Sequence, residues 1–452
     1  MTKDIGGLPL LELRIDENGD VDPDGERALA AELDATEPTD LLVFSHGWNN
    51  TPSVASRLYE AFYAQLPPLL AGHGVPDRKI LLLGVFWPSS RWSDEPIPDF
   101  DPASAVDLGG GGGAAGLGAA PEFAPPAPPD ADMQAMIRAA FPDQQRAALD
   151  ELLELLVKRP DDRAALQHAR DLIQTIAAAT IGDGDGDGEQ ADEPPFIAQP
   201  DPDADLFSRF ATQLEELGIV TGGAGGAAGF GDTFGRLWHG AQEAARQLTY
   251  FQMKHRAGTI GERGLGPLLG RLLARRPALC INLIGHSFGA RVVSYALAGL
   301  PANSAVRSVT LLQGAFSHFA FAASLPFDAR RSGALNGKDA RVDGPITACY
   351  SEHDSAVGTL YPLASMLGRE DAAGFDDVTY RWGGIGHDGH QPDVAALALL
   401  DVGTRYDFAG RRLVNIDAAR VVKKGSPPSG AHSDIIHPEL AWVVVSAGGL
   451  VG

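Results

Sequence analysis

LCINLIGHSFGARVVSYAL, residues 279–297, decides how this chain is read. A mostly apolar run (279–284) stops at Gly285, and an apolar pattern with helical spacing covers 290–300. Between them lies Gly285-His286-Ser287-Phe288-Gly289. A short apolar run bounded by turn residues fits a strand buried on both faces. A serine hydroxyl is a weak nucleophile at neutral pH; it needs an open position, a neighbouring base and donors aimed at the developing oxyanion. Gly-x-Ser-x-Gly between a strand and a helix meets the first need, because the turn strains the serine backbone and the glycines let strand and helix approach closely. The helix N-terminus adds a field that favours negative charge. Ser287 is thus a candidate nucleophile, the alternative being a polar residue in a tight turn.

Outward from this stretch the same signals recur. Residues 41–45 (LLVFS) and 80–87 (ILLLGVFW) read as buried strands, and 306–312 and 345–350 as two more. Helix spacing marks 53–66, 265–275 and 290–300, with Asn49 and Asn50 placed to cap the first of these. Residues 411–422 read as a late strand or strand pair, followed by a helix from about Pro438. Alternating strands and helices predict an α/β fold, a mostly parallel sheet flanked by helices.

Residues 91–244 interrupt that pattern, so 1–90 and 245–452 are expected to form the core around a large insertion. Within it, 94–132 and 182–205 are Gly/Pro-rich, and 132–181 reads as two or three amphipathic helices. A short helix is expected over 206–217, then GGAGGAAGFGD, then a helix from Thr233 to about His255. The insertion is either a surface decoration or a lid over a pocket near the ligand end of the sheet.

Composition bounds the function. The 452 residues are 44% hydrophobic and 21% charged, as in globular chains. A net charge of −23 argues against a nucleic-acid partner, which calls for a basic face. Cys280 and Cys349 lie in strand-like runs and read as buried free thiols, in keeping with a reducing cytoplasm. The N-terminus lacks the pattern of a secretory signal, and no stretch reads as an integral membrane segment, so a soluble cytoplasmic chain is expected.

With GHSFG in its strand–turn–helix setting, the chain resembles the α/β-hydrolase superfamily, and its esterase- and lipase-like members in particular. The resemblance covers roughly 40–90 and 245–450, and includes the His46-Gly47 of LVFSHGWNN (42–50). It implies an oxyanion hole from the backbone N–H groups of Trp48 and Phe288. It also implies an acid and then a histidine after the serine along the chain. Asp354, in SEHDSAVG after the strand 345–350, stands where the acid is expected, with Glu352 as a rival. His432, in the loop before the last helix, stands where the base is expected; His387, His390 and His437 are the alternatives. His387 and His390, in GIGHDGHQPD, could instead bind metal, although a plain loop explains them as well. His46 and Trp87 are the candidate substrate contacts; Trp48, Phe86, Trp87 and Trp92 suit an apolar acyl group and equally suit core packing.

Two signals fail. DGDGDGE (183–189) resembles a calcium loop, but its twelfth position is Pro194, where a bidentate Glu is needed. The glycine runs at 109–113 and 222–231 lack the Lys-Ser/Thr of a phosphate loop. The expected function is a serine hydrolase acting on carboxylic esters, with lipids or thioesters as further substrates, through an acyl-enzyme on Ser287. The resemblance implies neither metal nor organic cofactor. An acyltransferase with the same triad, or a binding module whose site is unused, is the alternative.

Overall fold

The computed structural model describes residues 2–48, 50–89, 127–180, 206–216, 230–360, 381, 383–425 and 429–452. The sequence features at 183–189 and 109–113, Trp92, Asn49 and most of 217–231 lie outside these residues. The chain order is β1 Lys3–Ile5, β2 Leu8–Arg14, α1 Pro23–Thr36, β3 Asp40–Ser45, α2 Pro52–Tyr63, α3 Leu66–His73 and β4 Ile80–Phe86. Helices α4 Ala131–Ala140, α5 Arg146–Lys158, α6 Arg163–Thr180, α7 Leu206–Glu216, α8 Phe230–Thr259 and α9 Gly266–Arg275 follow, with a π-helical turn, Ile260–Leu265, between the last two. The chain then forms β5 Cys280–His286, α10 Phe288–Gly299, β6 Ser308–Leu312, β7 Ile346–Tyr350, β8 Ala396–Ala398, β9 Leu413–Asp417 and α11 Pro438–Ala447.

The described strands form one nine-stranded sheet in the order β1-β2-β4-β3-β5-β6-β7-β9-β8, parallel except at the β1–β2 pair. Side chains of a strand alternate between faces, and β3 shows the consequence. Leu41 and Val43 enter the core with α1 and α4–α10, while Leu42 and Phe44 enter the core with α2, α3 and α11. A strand buried on both faces must be apolar throughout, which is why LLVFS shows no alternation. Each such side chain contributes about 1.5–3 kcal/mol relative to exposure.

Helices α4–α8 bury their apolar stripes in the same cluster as the sheet: Met133, Leu152, Ile173, Phe210 and Trp238 join Leu83 and Leu283. The expected boundary at 244/245 falls inside the single helix α8. Cys349 is buried as expected, with burial pushing its thiol up to about 12, whereas Cys280 is half-buried; both are free. No described helix is long and apolar enough to cross a membrane.

Strand order fixes where a ligand can bind. From β3 the chain runs outward to β4, then returns to place β5 on the other side of β3. At such a reversal, loops from neighbouring strands leave in opposite directions and open a crevice at the strands' C-terminal ends. Those ends carry His46-Gly47 and Ser287.

Candidate active site

Ser287 lies between β5 and α10, with φ 56° and ψ −125°, a conformation few residues other than glycine adopt. Its N–H donates to the Leu312 carbonyl of β6 (3.2 Å), and its carbonyl accepts from Ala290 (3.0 Å) and Ala315 (3.1 Å). The strain is therefore held from two sides, by the end of β6 with the loop after it and by the first turn of α10. A Cβ on Gly285 would lie 2.4 Å from the Gly289 carbonyl oxygen, and one on Gly289 would lie 1.9 Å from that of Ser45. The two glycines permit contacts that no side chain allows.

The turn after β3 presses against the serine: a Cβ on Gly47 would lie 2.4 Å from Ser287 Cβ. Asn50 fixes this turn, donating from Nδ2 to the carbonyls of Trp48 (2.8 Å) and Gly47 (3.2 Å). The cap of α2 is instead Thr51, whose hydroxyl accepts from Val54 N–H, with Pro52 opening the helix. Neither the Trp48 nor the Phe288 backbone N–H donates to another described residue. Phe288 is the first residue of α10, where an N–H has no partner within the helix. The Trp48 and Phe288 rings are neighbours (6.2 Å between centroids), and Tyr250 of α8 packs on both, at 6.0 and 5.1 Å.

His46 braces the turn from below. Nδ1 bonds the Gly47 carbonyl (2.9 Å) and Nε2 accepts from Trp87 N–H (3.3 Å), which sets the tautomer. The ring stacks on Trp87 at 5.3 Å, Trp87 Nε1–H donates to the His46 carbonyl (2.9 Å), and burial holds the His46 pKa down to about 4. His46 N–H donates to the Tyr59 hydroxyl (2.9 Å), which itself donates to Val85 of β4. His46 and Trp87, expected as substrate contacts, are 1% and 4% exposed. They also line a cavity of about 430 Å³ with Phe86, Pro88 and Arg14.

Asp354 and His432 come together from segments 78 residues apart. His432 Nδ1 donates to Asp354 Oδ2 (2.8 Å). A carboxylate only accepts, so Nδ1 carries the proton and Nε2 is left as the basic nitrogen. Asp354 Oδ1 accepts from Val357 N–H (3.0 Å), so one oxygen caps the following turn while the other holds the imidazole. Asp354 is fully buried and Glu352 is exposed, which settles which carboxylate meets the ring. The His432 loop is tied to the acid's loop by Ala431 N–H donating to the His353 carbonyl (2.9 Å).

His286 links this pair to the serine. Its Nε2–H donates to the His432 carbonyl (2.9 Å), and the rings lie 5.0 Å apart. Burial, then the neighbouring His432, pushes the His286 pKa down to about 3, so it stays neutral. Among the described residues no hydrogen bond joins the Ser287 hydroxyl to the His432 ring.

The other histidines sit elsewhere. His437 bonds Asp434 Oδ1 (2.8 Å) at the start of α11. His387 lies in the helical turn Ile385–Asp388 and packs on Gly358, and His390 is buried against Phe321. Among the described residues no three His, Cys, Asp or Glu side chains are grouped to hold a metal ion. No family model matches the chain, and no curated protein or solved structure matches it.

Three residues of this neighbourhood escape the sequence reading. Asn50 passes for a helix cap, Tyr59 for one more apolar residue of α2, and Gln313 belongs to no motif. Gln313 follows β6 with φ 47° and is fully buried, and its Nε2 donates to Asp354 Oδ2 (3.1 Å) and the Gly386 carbonyl (3.1 Å).

Proposed function

We propose that the chain is a serine hydrolase of the α/β-hydrolase kind, acting on carboxylic esters. The single observation that carries this is the Asp354–His432 bond at the same sheet end as the strained Ser287, with His286 bridging the two. Ser287 Oγ attacks the acyl carbonyl carbon while His432 Nε2 takes the hydroxyl proton. Asp354 holds the imidazole in the Nδ1–H tautomer and stabilises its charged form. The oxyanion is met by the N–H groups of Trp48 and Phe288; the Ser287 N–H is already used by Leu312. His432 then gives its proton to the departing alkoxide, leaving an ester on Ser287. Water, deprotonated by the same nitrogen, attacks that ester; the acyl C–Oγ bond breaks, the acid leaves, and His432 returns the proton to Ser287 Oγ.

The aromatic group of Trp48, Phe288 and Tyr250 favours an apolar acyl chain over a charged one. Helix α8, which carries Tyr250, then serves as a wall of the site, backed by α4–α7. Their apolar faces belong to the sheet's own core, so swinging them away would expose it, which argues for a fixed wall over a mobile lid. The test is turnover of p-nitrophenyl esters of rising chain length by the whole protein, its Ser287→Ala variant and its His432→Ala variant. Turnover lost in both variants is expected; no turnover of any ester by the unaltered protein contradicts the proposal.

A further inference from the structure

The strongest feature outside the three expected catalytic groups is Gln313. It stands one residue beyond β6, whose last carbonyl, that of Leu312, receives the Ser287 N–H (3.2 Å). Its own N–H donates to Cys349 of β7 (3.1 Å), a few residues before Asp354. The side chain bridges the acid's loop and the helical turn Ile385–Asp388, because Nε2–H groups reach both Asp354 Oδ2 and the Gly386 carbonyl. Gly386 also accepts from Ser351 N–H (3.0 Å), and a Cβ there would lie 2.4 Å from the Gln313 carbonyl carbon.

Two features of Gln313 are unfavourable for stability. Its φ of 47° is one that glycine, not glutamine, adopts freely, and its buried Oε1 has no hydrogen-bond partner among the described residues. A residue selected only for packing would carry neither. Strain and an unsatisfied polar atom held by a surrounding network are typical of functional positions.

We propose that Gln313 is a positioning residue for the acid–base pair, an inference that rests on the Ser287–His432–Asp354 reading. Its amide meets the same oxygen that accepts from His432, so it fixes the plane of the carboxylate that faces the imidazole. Val357 N–H holds the other oxygen, so donors at both oxygens resist rotation of the carboxylate out of that plane. His432 is thereby aimed through Asp354, with no contact between Gln313 and substrate.

The test uses the full chain with Gln313→Met, which keeps length and removes the donor, and Gln313→Glu, which keeps shape and turns an acceptor toward the carboxylate. Expected for Gln313→Met are a kcat reduced roughly tenfold to a hundredfold, by analogy with other orienting partners, an unchanged KM, and fluorophosphonate labelling slowed by the same factor. Gln313→Glu is expected to lose more, because like charges then face each other. Both variants should lose or shift the downfield proton resonance of His432 Nδ1–H, assigned by its absence in His432→Ala. The resonance needs no substrate, so it reports on Gln313 even if no ester is turned over and the hydrolase reading fails. An unchanged resonance in a folded variant overturns the inference, as does an unchanged kcat in an active one. If Gln313→Met does not fold, Gln313→Glu decides by the same two readings.

Discussion

Replacing Gly47 by alanine tests how closely the turn after β3 must approach the serine. The new Cβ would lie 2.4 Å from Ser287 Cβ, 2.9 Å from Oγ and 3.0 Å from the His286 carbonyl oxygen. Carbon atoms settle at about 3.5–4.0 Å, so turn and serine must separate by roughly 1 Å. Neither side yields easily: Ser287 is tied to Leu312 and Ala315, and the turn is held by Asn50 and Tyr59. Overpacking of this kind costs about 1–3 kcal/mol of stability. In the proposed reaction the effect on rate is larger, since moving the Trp48 N–H by about that distance would amount to losing an oxyanion donor, worth roughly 10²–10³ in kcat. The assay pairs ester turnover with thermal unfolding of the same samples. Gly72→Ala is the control, because its Cβ would meet nothing within 4 Å on α3. A folded Gly47→Ala protein with unaltered kcat would show that turnover does not need this close approach.

Further outcomes follow from the same geometry. Asp354→Asn should lower kcat by about 10⁴, as loss of the orienting acid does in the serine-protease template, while Glu352→Gln leaves it unchanged; equal losses in steady-state assays would undo the assignment. His437→Ala should keep activity and lose only its bond to Asp434, so a loss matching that of His432→Ala would place the base wrongly. Acid should weaken the fold through His46, His286 and His390, whose pKa values burial holds down to about 4, 3 and 3. The unfolded chain takes up each proton near pH 6.5 and the folded chain only below about 4 or 3, so stability falls as pH drops through that window. His390→Leu should flatten the urea-unfolding free energy against pH by about 1.4 kcal/mol per pH unit between roughly pH 6 and 4; parallel curves would contradict this.

Much of the sheet was legible because burial on both faces demands continuous apolar runs, as in LLVFS, ILLLGVFW and LCINLI. The elements missed are those without that demand. β1 and β2 lie at the sheet edge, where exposed Glu12 and Arg14 break the run, and β8 is three residues with no buried side chain. Amphipathic spacing revealed α4–α6, but not that their apolar faces enter the sheet's core, since that depends on where α8 returns. The strained turn at Ser287 was readable from a local constraint, namely two glycines flanking it at a strand–helix junction. The contact of Asp354 with His432 was to be expected only from their order along the chain, since their bond spans 78 residues. Gln313 had no signal of any kind: its partners are defined by the pairing of β6 with β7 and by the turn at Gly386, and neither is written in the residues around it.

Whether Ser287 is the nucleophile is decided by treating the whole protein with a fluorophosphonate and mapping the adduct by peptide mass spectrometry. A single adduct on Ser287, formed slowly or not at all in His432→Ala, is the predicted result. An unlabelled protein, or an adduct on another serine with Ser287→Ala still turning over esters, would contradict the account.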